Sequence, residues 1–336
     1  MADSFIIAID FGTAYSGYAF SITSREEDID PYLKVWGEGV GLETPKTPTC
    51  ILFDEKEDFI SFGYDAKEEY LSKKGQEARD KFLFDCFKMA LYGKVSKVQP
   101  IIRGGTIDIT VHEVLEGGAL KELHKASGND LGGQNVDRKF KQFLREIFCD
   151  GVWDEYEQNY PGEVQKIMYD FTLFKKGDKD IEITCSLNLG RLAQTKKDIE
   201  KFLEGVEGAS WNEGSIKIYK QKLRSFFNES LQGIIESLND ILKRDHRIEY
   251  ILLVGGYADS QILQGHITEE YIDECKVLCP FRPQEAILKG AVEFGRNPAV
   301  VASRKSAFTY GIAVANRFDA SKHRADKKYT NKDGEW

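Results

Sequence analysis

The stretch Asp10-Phe11-Gly12-Thr13-Ala14-Tyr15-Ser16-Gly17 follows the apolar run Phe5-Ile6-Ile7-Ala8-Ile9 and precedes Tyr18-Ala19-Phe20-Ser21-Ile22. The first run reads as a buried strand that ends on a carboxylate. The glycines mark a turn, and the last run reads as the returning strand of a hairpin. Glycine lets backbone approach an anion closely, and turn N–H groups can point at phosphate oxygens. A carboxylate at the strand end can hold a hydrated Mg²⁺. The same residues also make an ordinary hairpin turn, so the company they keep decides between the readings.

That company begins at Gly104-Gly105-Thr106-Ile107-Asp108. Ile107, Ile109 and Val111 alternate with polar residues as in a half-buried strand, and Leu120-Lys121-Glu122-Leu123-His124 is its expected partner across Gly117-Gly118. A second Gly/Thr hairpin thus echoes the first. The third motif is Leu253-Val254-Gly255-Gly256-Tyr257, where the run Tyr250-Ile251-Leu252-Leu253-Val254 reads as a fully buried strand feeding a double glycine. Between the motifs the spacing predicts a helix over 137–148, a strand over 181–187 and one long amphipathic helix over 215–243. Residues 66–91 carry helical spacing, 149–214 read as mixed and polar, and Pro283 to Gly295 reads as a helix with proline in its first turn. Strands alternating with helices argue an α/β architecture.

The remaining composition narrows the class. The chain has 336 residues, 41% hydrophobic, and a formal net charge of −9, which disfavours a nucleic-acid partner. No apolar run is long enough to cross a bilayer, and the N-terminus lacks the basic region of a secretory signal, so a cytoplasmic address and no membrane partner are expected. The six cysteines, Cys50, Cys86, Cys149, Cys185, Cys275 and Cys279, form no CxxC pair and read as thiols in a reducing compartment. Residues 317–332 hold six basic side chains and read as a solvated tail.

The order of the motifs is more specific than any one of them. Asp10 to Gly17 resembles the first phosphate loop of the seventy-kilodalton heat-shock proteins, Gly104 to Thr110 their second, and Val254-Gly255-Gly256-Tyr257-Ala258 their adenosine loop. Gly128-Asn129-Asp130-Leu131-Gly132-Gly133-Gln134-Asn135-Val136-Asp137 and Pro283-Gln284-Glu285-Ala286-Ile287-Leu288-Lys289-Gly290-Ala291 resemble further segments of that family. Longer matches, such as Thr106-Ile107-Asp108-Ile109-Thr110-Val111-His112-Glu113, are similar to its divergent 12A/12B branch. The resemblance implies a two-lobed actin-like ATPase domain of ribonuclease-H-like type, with lobe I incomplete. Residues 1–100 would be partial lobe I, 101–297 lobe II, and 298–336 a return segment and basic tail.

The same resemblance implies ATP or ADP with Mg²⁺ as ligands. Asp10 would be the catalytic residue and anchor the metal through water. Gly12, Thr13, Ala14 and Tyr15 would form the first phosphate grip, Gly104, Gly105 and Thr106 the second, and Gly255, Gly256 and Tyr257 would border the adenosine. The implied role is an ATP-binding, stress-response chaperone, with possible protein partners through lobe II. Departures limit what carries over. The aspartate of the family's second loop falls at Ile101, and its first glycine at Arg103. The spacing from Asp10 to Gly104 is about half the family's, so residues 98–103 read as a deletion joint, and no peptide-binding domain follows Trp336. Lys67 and Lys73 are the nearest candidates by position for the family's catalytic lysine. A typical adenine-stacking arginine falls at Asp259. Hydrolysis is therefore expected to be impaired. The alternatives are a nucleotide-independent interaction protein and, third, a small-molecule kinase of the same fold. Loss of the strands beside Phe5–Ile9 would also expose apolar edges.

Overall fold

The computed structural model describes residues 5–22, 30–72, 80–88, 105–125, 131–243, 247–306, 311 and 319–328. Gly104, Arg103, Ile101, Lys73 and the expected joint over 98–103 lie outside them. The described chain is α/β. It opens with β1 (Phe5–Phe11) and β2 (Tyr15–Ile22), then β3 (Tyr32–Leu33), β4 (Thr47–Pro48), β5 (Cys50–Phe53), β6 (Phe59–Phe62), α1 (Tyr64–Ser72) and β7 (Phe82–Asp85). The hairpin β8 (Thr110–Val114) and β9 (Leu120–Lys125) follows. Next come α2 (Gly133–Ile147), α3 (Val152–Asn159), α4 (Pro161–Phe174), β10 (Ile181–Thr184), α5 (Leu187–Gln194), β11 (Ala209–Asn212) and β12 (Ser215–Ile218). The last elements are α6 (Lys220–Ser225), α7 (Asn228–Leu242), β13 (Tyr250–Leu252), α8 (Gln261–Glu270), β14 (Lys276–Leu278), α9 (Pro283–Arg296) and β15 (Val301–Ser303).

Both expected hairpins form. β1 pairs antiparallel with β2 from Phe5↔Ile22 to Phe11↔Ser16, and β8 pairs antiparallel with β9. β3 and β4 both bond to β2, which leaves β1 at the sheet edge. One face of this sheet is closed by α9, where Leu288 and Val292 bury Ala8 and Ala19. Arg296 donates from Nη2 to Ser21 Oγ at 2.6 Å, tying the end of α9 to the end of β2. The other face is open. Phe5, Ile7 and Ile9, expected to be buried, are 61%, 65% and 75% exposed. Among the described residues no element packs over Phe5, Ile7 and Ile9 on that side.

The principal core is built by α2 through α8. Val136, Phe140, Phe143, Leu144 and Ile147 of α2 recur at helical spacing and meet Phe171, Leu223, Phe226, Phe227, Leu231 and Ile234. Phe140 stacks on Phe171 with centroids 3.8 Å apart. Residues 149–214, expected to be mixed and polar, supply much of this core through Trp153, Tyr156, Ile167, Ile183 and Leu189. α3 and α5 have eight residues each, so their few apolar positions never accumulate into a visible stripe. Ser186 caps α5 by accepting from Leu189 N at 3.2 Å.

Three further expectations are corrected. The helix expected over 215–243 begins as β12, because Ser215-Ile216-Lys217-Ile218 alternates and pairs with both β10 and β11; α6 and α7 follow as separate helices. Among the described residues of 66–91 the helical reading holds for α1, while Phe82-Leu83-Phe84-Asp85 pairs with β5. The strand expected to be fully buried at 250–254 is β13, which among the described residues pairs with β14 alone, and Tyr250 and Leu252 face outward while Ile251 packs on the core.

Candidate functional site

The first turn leaves β1 at Asp10 and Phe11 and re-enters β2 at Tyr15. A side chain at Gly12 would place its Cβ 2.2 Å from the carbonyl oxygen of Tyr15, so only glycine permits this curl. Thr49 braces the turn from behind. Its N–H donates to the Ala14 carbonyl at 2.8 Å, its hydroxyl donates to the Gly12 carbonyl at 2.8 Å, and it shares a 2.8 Å hydrogen bond with Ser16 Oγ. Thr13 and Tyr15 are drawn inward, and burial pushes the Tyr15 phenol well above its ordinary pKa. Asp10 carries an ion pair with Lys46, Nζ to Oδ2 at 2.5 Å, and the lysine is buried.

The second wall is made by Gly105 and the start of α2. Gly105 has φ 85°, and its carbonyl accepts from Gly132 N at 2.8 Å. Beside it, Lys175 donates to Asp137 Oδ1 at 2.6 Å and to the Gly133 carbonyl at 2.8 Å. The third wall follows β13. Gly255 N donates to the Pro283 carbonyl at 2.8 Å. The Tyr257 ring stacks on Phe227, centroids 6.1 Å apart, and its hydroxyl lies 2.9 Å from Ser230 Oγ.

These three walls enclose one cleft of about 1790 Å³. Asp10, Gly12, Thr13, Ala14 and Tyr15 line it together with Gly105 and Thr106, and with Gly255, Gly256 and Tyr257. Every described residue expected to contact nucleotide therefore reaches a single cavity; Gly104 lies outside the described residues. The cavity also extends into an apolar recess beside Ile234, Leu238 and Leu253.

Six lysines border it: Lys46, Lys67, Lys88, Lys141, Lys175 and Lys176. Lys67 reaches the cleft from α1, 3.1 Å from Asp85. Burial pulls its ammonium down, but Asp85, the Cys50 and Cys86 thiols and Tyr15 outweigh this and leave its pKa above that of ordinary lysine. Lys175 and Lys176 line the cleft near its third wall, and Lys176 pairs with Asp259 at 3.2 Å. Lys46 was not visible as a site residue in the sequence, because Pro45-Lys46-Thr47-Pro48 belongs to no motif. The single clue is Gly17: a Cβ there would stand 2.6 Å from the Pro45 carbonyl and 3.1 Å from the Lys46 stem. Cys86 accepts from Gln134 Nε2 at 2.7 Å, and its thiol is pushed well up by burial and by Asp85, which makes it a poor nucleophile. Among the described residues no helix is long and apolar enough to cross a membrane.

No protein-family model matches the chain. Human heat shock 70 kDa protein 12A is 30% identical over 246 residues, covering 69% of this chain and 36% of the relative. Human heat shock 70 kDa protein 12B is 23% identical over 511 aligned positions, covering 99% of this chain and 74% of the relative. The chain thus spans about a third of the 12A sequence, and its 336 residues are spread along an alignment far longer than themselves. Among solved structures, MreB 5 of Spiroplasma citri bound to AMPPNP superposes with a TM-score of 0.49 and 11% identity, covering 89% of this chain and 98% of that one. With end-to-end alignment to 12B and the higher identity to 12A, the chain is heat shock 70 kDa protein 12A/12B-like.

Proposed function

We propose that this chain is a nucleotide-binding, chaperone-like protein of the 12A/12B type whose cleft takes ATP or ADP and whose hydrolysis is impaired. The supporting observation is the meeting of three glycine turns, from residues 12–15, 105–106 and 255–257, around one cleft. Turn N–H groups and nearby ammonium groups suit phosphate oxygens, and a concave site with a few convergent polar groups is the form a small-molecule site takes. Lys67, paired with Asp85, brings an ammonium group to the same cleft on the side of the first turn. Impaired turnover follows from Ile101, an isoleucine in the sequence position where the resemblance calls for a water-orienting aspartate.

Calorimetric titration of the purified chain with ATP and ADP tests this. Saturable binding that is lost on substituting Thr13 and Thr106 together is the expected result. No heat from either nucleotide, with the chain folded by circular dichroism, would leave the second reading. That reading is a nucleotide-independent interaction protein, and the uncovered row Phe5, Ile7 and Ile9 on β1 is the observation in its favour.

A further inference from the structure

We infer that Lys46 stands in for a divalent cation at Asp10, so that nucleotide phosphates bind in this cleft without metal. The inference rests on the nucleotide reading above. Asp10 is the carboxylate that would hold the water shell of a Mg²⁺ ion. In the structure that carboxylate already carries an ammonium: Lys46 Nζ is 2.5 Å from Oδ2.

The arrangement is built rather than incidental. The Lys46 side chain is almost wholly buried, and Asp10 is largely so. The backbone of Lys46 is fixed on both sides. Its carbonyl accepts from Thr44 Oγ1 at 2.6 Å, and the following residues pair with β2 through Ser16↔Thr47 and Tyr15↔Pro48. The stem crosses β2 at Gly17, where any side chain would collide with Pro45 and press on Lys46. The path of the lysine to Asp10 therefore depends on three separate elements, and both residues line the cleft.

The residues do not fit the metal. Mg²⁺ demands near-octahedral oxygen ligands and keeps several waters. With Oδ2 occupied, an ion or its water shell at this carboxylate would stand against a buried like charge in a poorly screened place. Among the described residues no group of three or more His, Cys, Asp or Glu side chains is placed to hold a metal ion elsewhere. An ammonium has three donors. One is spent on Asp10, which leaves two for oxygens entering the cleft beside the first turn. A cation carried by the chain can thus neutralise phosphate charge while activating no water.

The test is calorimetric titration of the whole chain with ATP, once in excess MgCl₂ and once in excess EDTA. The wild-type affinity is expected to agree within about threefold between the two conditions. Lys46→Gln is expected to weaken binding in EDTA by about tenfold or more, and to regain part of it with Mg²⁺, because Asp10 is then free. Lys46→Arg, which keeps the charge, should stay metal-independent and guards against a folding defect. A wild-type affinity that falls by more than about tenfold in EDTA overturns the inference and leaves the nucleotide reading standing. Absence of binding in both conditions overturns both.

Discussion

The amide of Gly132 donates to the carbonyl of Gly105 at 2.8 Å, and a methyl group on Gly132 would fall 2.4 Å from that oxygen. The contact joins the second glycine turn to the start of α2, and neither partner can give way. Gly105 is held at positive φ against the backbone and stem of Gln134. Gly132→Ala should therefore push the turn out of the cleft wall and destabilise the chain by about 1–3 kcal/mol. Urea unfolding measures it. Gly190→Ala, in open space within α5, is the control and should be neutral or slightly stabilising. Equal stability of the two variants would mean that the turn is not packed as described.

Turnover should be near background. The protein's part in phosphoryl transfer is placement and electrostatics. Loss of one such group commonly costs about 10²–10³ in rate. Ile101 cannot orient a water, and Asp10 is neutralised by Lys46. A phosphate-release assay should give the same low rate for the wild type and for Asp10→Ala. Robust release that Asp10→Ala abolishes would refute impaired hydrolysis.

Asp178 gives a pH prediction outside the cleft. Arg224 donates to it twice, from Nε at 2.8 Å and Nη2 at 2.5 Å, and Lys220 Nζ lies 2.9 Å away. The hydrogen bond from Arg224 is the main cause that holds its carboxyl at about 2, below the usual value near 4. A depressed carboxyl stabilises the fold above the unfolded pKa, and that contribution is lost as pH falls through about 2. Asp178→Asn should lower the melting temperature by a few degrees at pH 7, on the order expected for a surface pair, and by progressively less below about pH 4. Carbon-detected NMR should show the Asp178 midpoint rising in Arg224→Gln. An unchanged midpoint would mean that the pair does not persist in solution.

Much of the cleft was legible in the sequence because glycine turns after strands are local signals. Gly12, Gly105 and Gly255 each answer a steric or dihedral demand written within a few residues. The α2 stripe was legible for a similar reason, being long enough for its period to show. Lys46 was not legible, because nothing near it in sequence says that Gly17 and Asp10 lie beneath it. The 215–243 region misled because the dense apolar positions of α6 and α7 masked the short alternation of β12. β13 misled in the opposite sense: an apolar run reads as buried, yet burial depends on how many strands flank it, and among the described residues only β14 does.

The clasp between β2 and α9 carries a consequence for the chain's birth. Ser21 waits for Arg296, and Ala8 and Ala19 wait for Leu288 and Val292. A ribosome adding about 5–20 residues per second needs roughly 15–60 s to make the intervening chain. Until α9 is made, the β1–β2 hairpin lacks the helix that closes one of its faces, and Phe5, Ile7 and Ile9 are exposed even in the folded chain. Over that interval the apolar side chains of β1 and β2 are open to other apolar surfaces. Slowing of translation between residues 22 and 288 lengthens that interval.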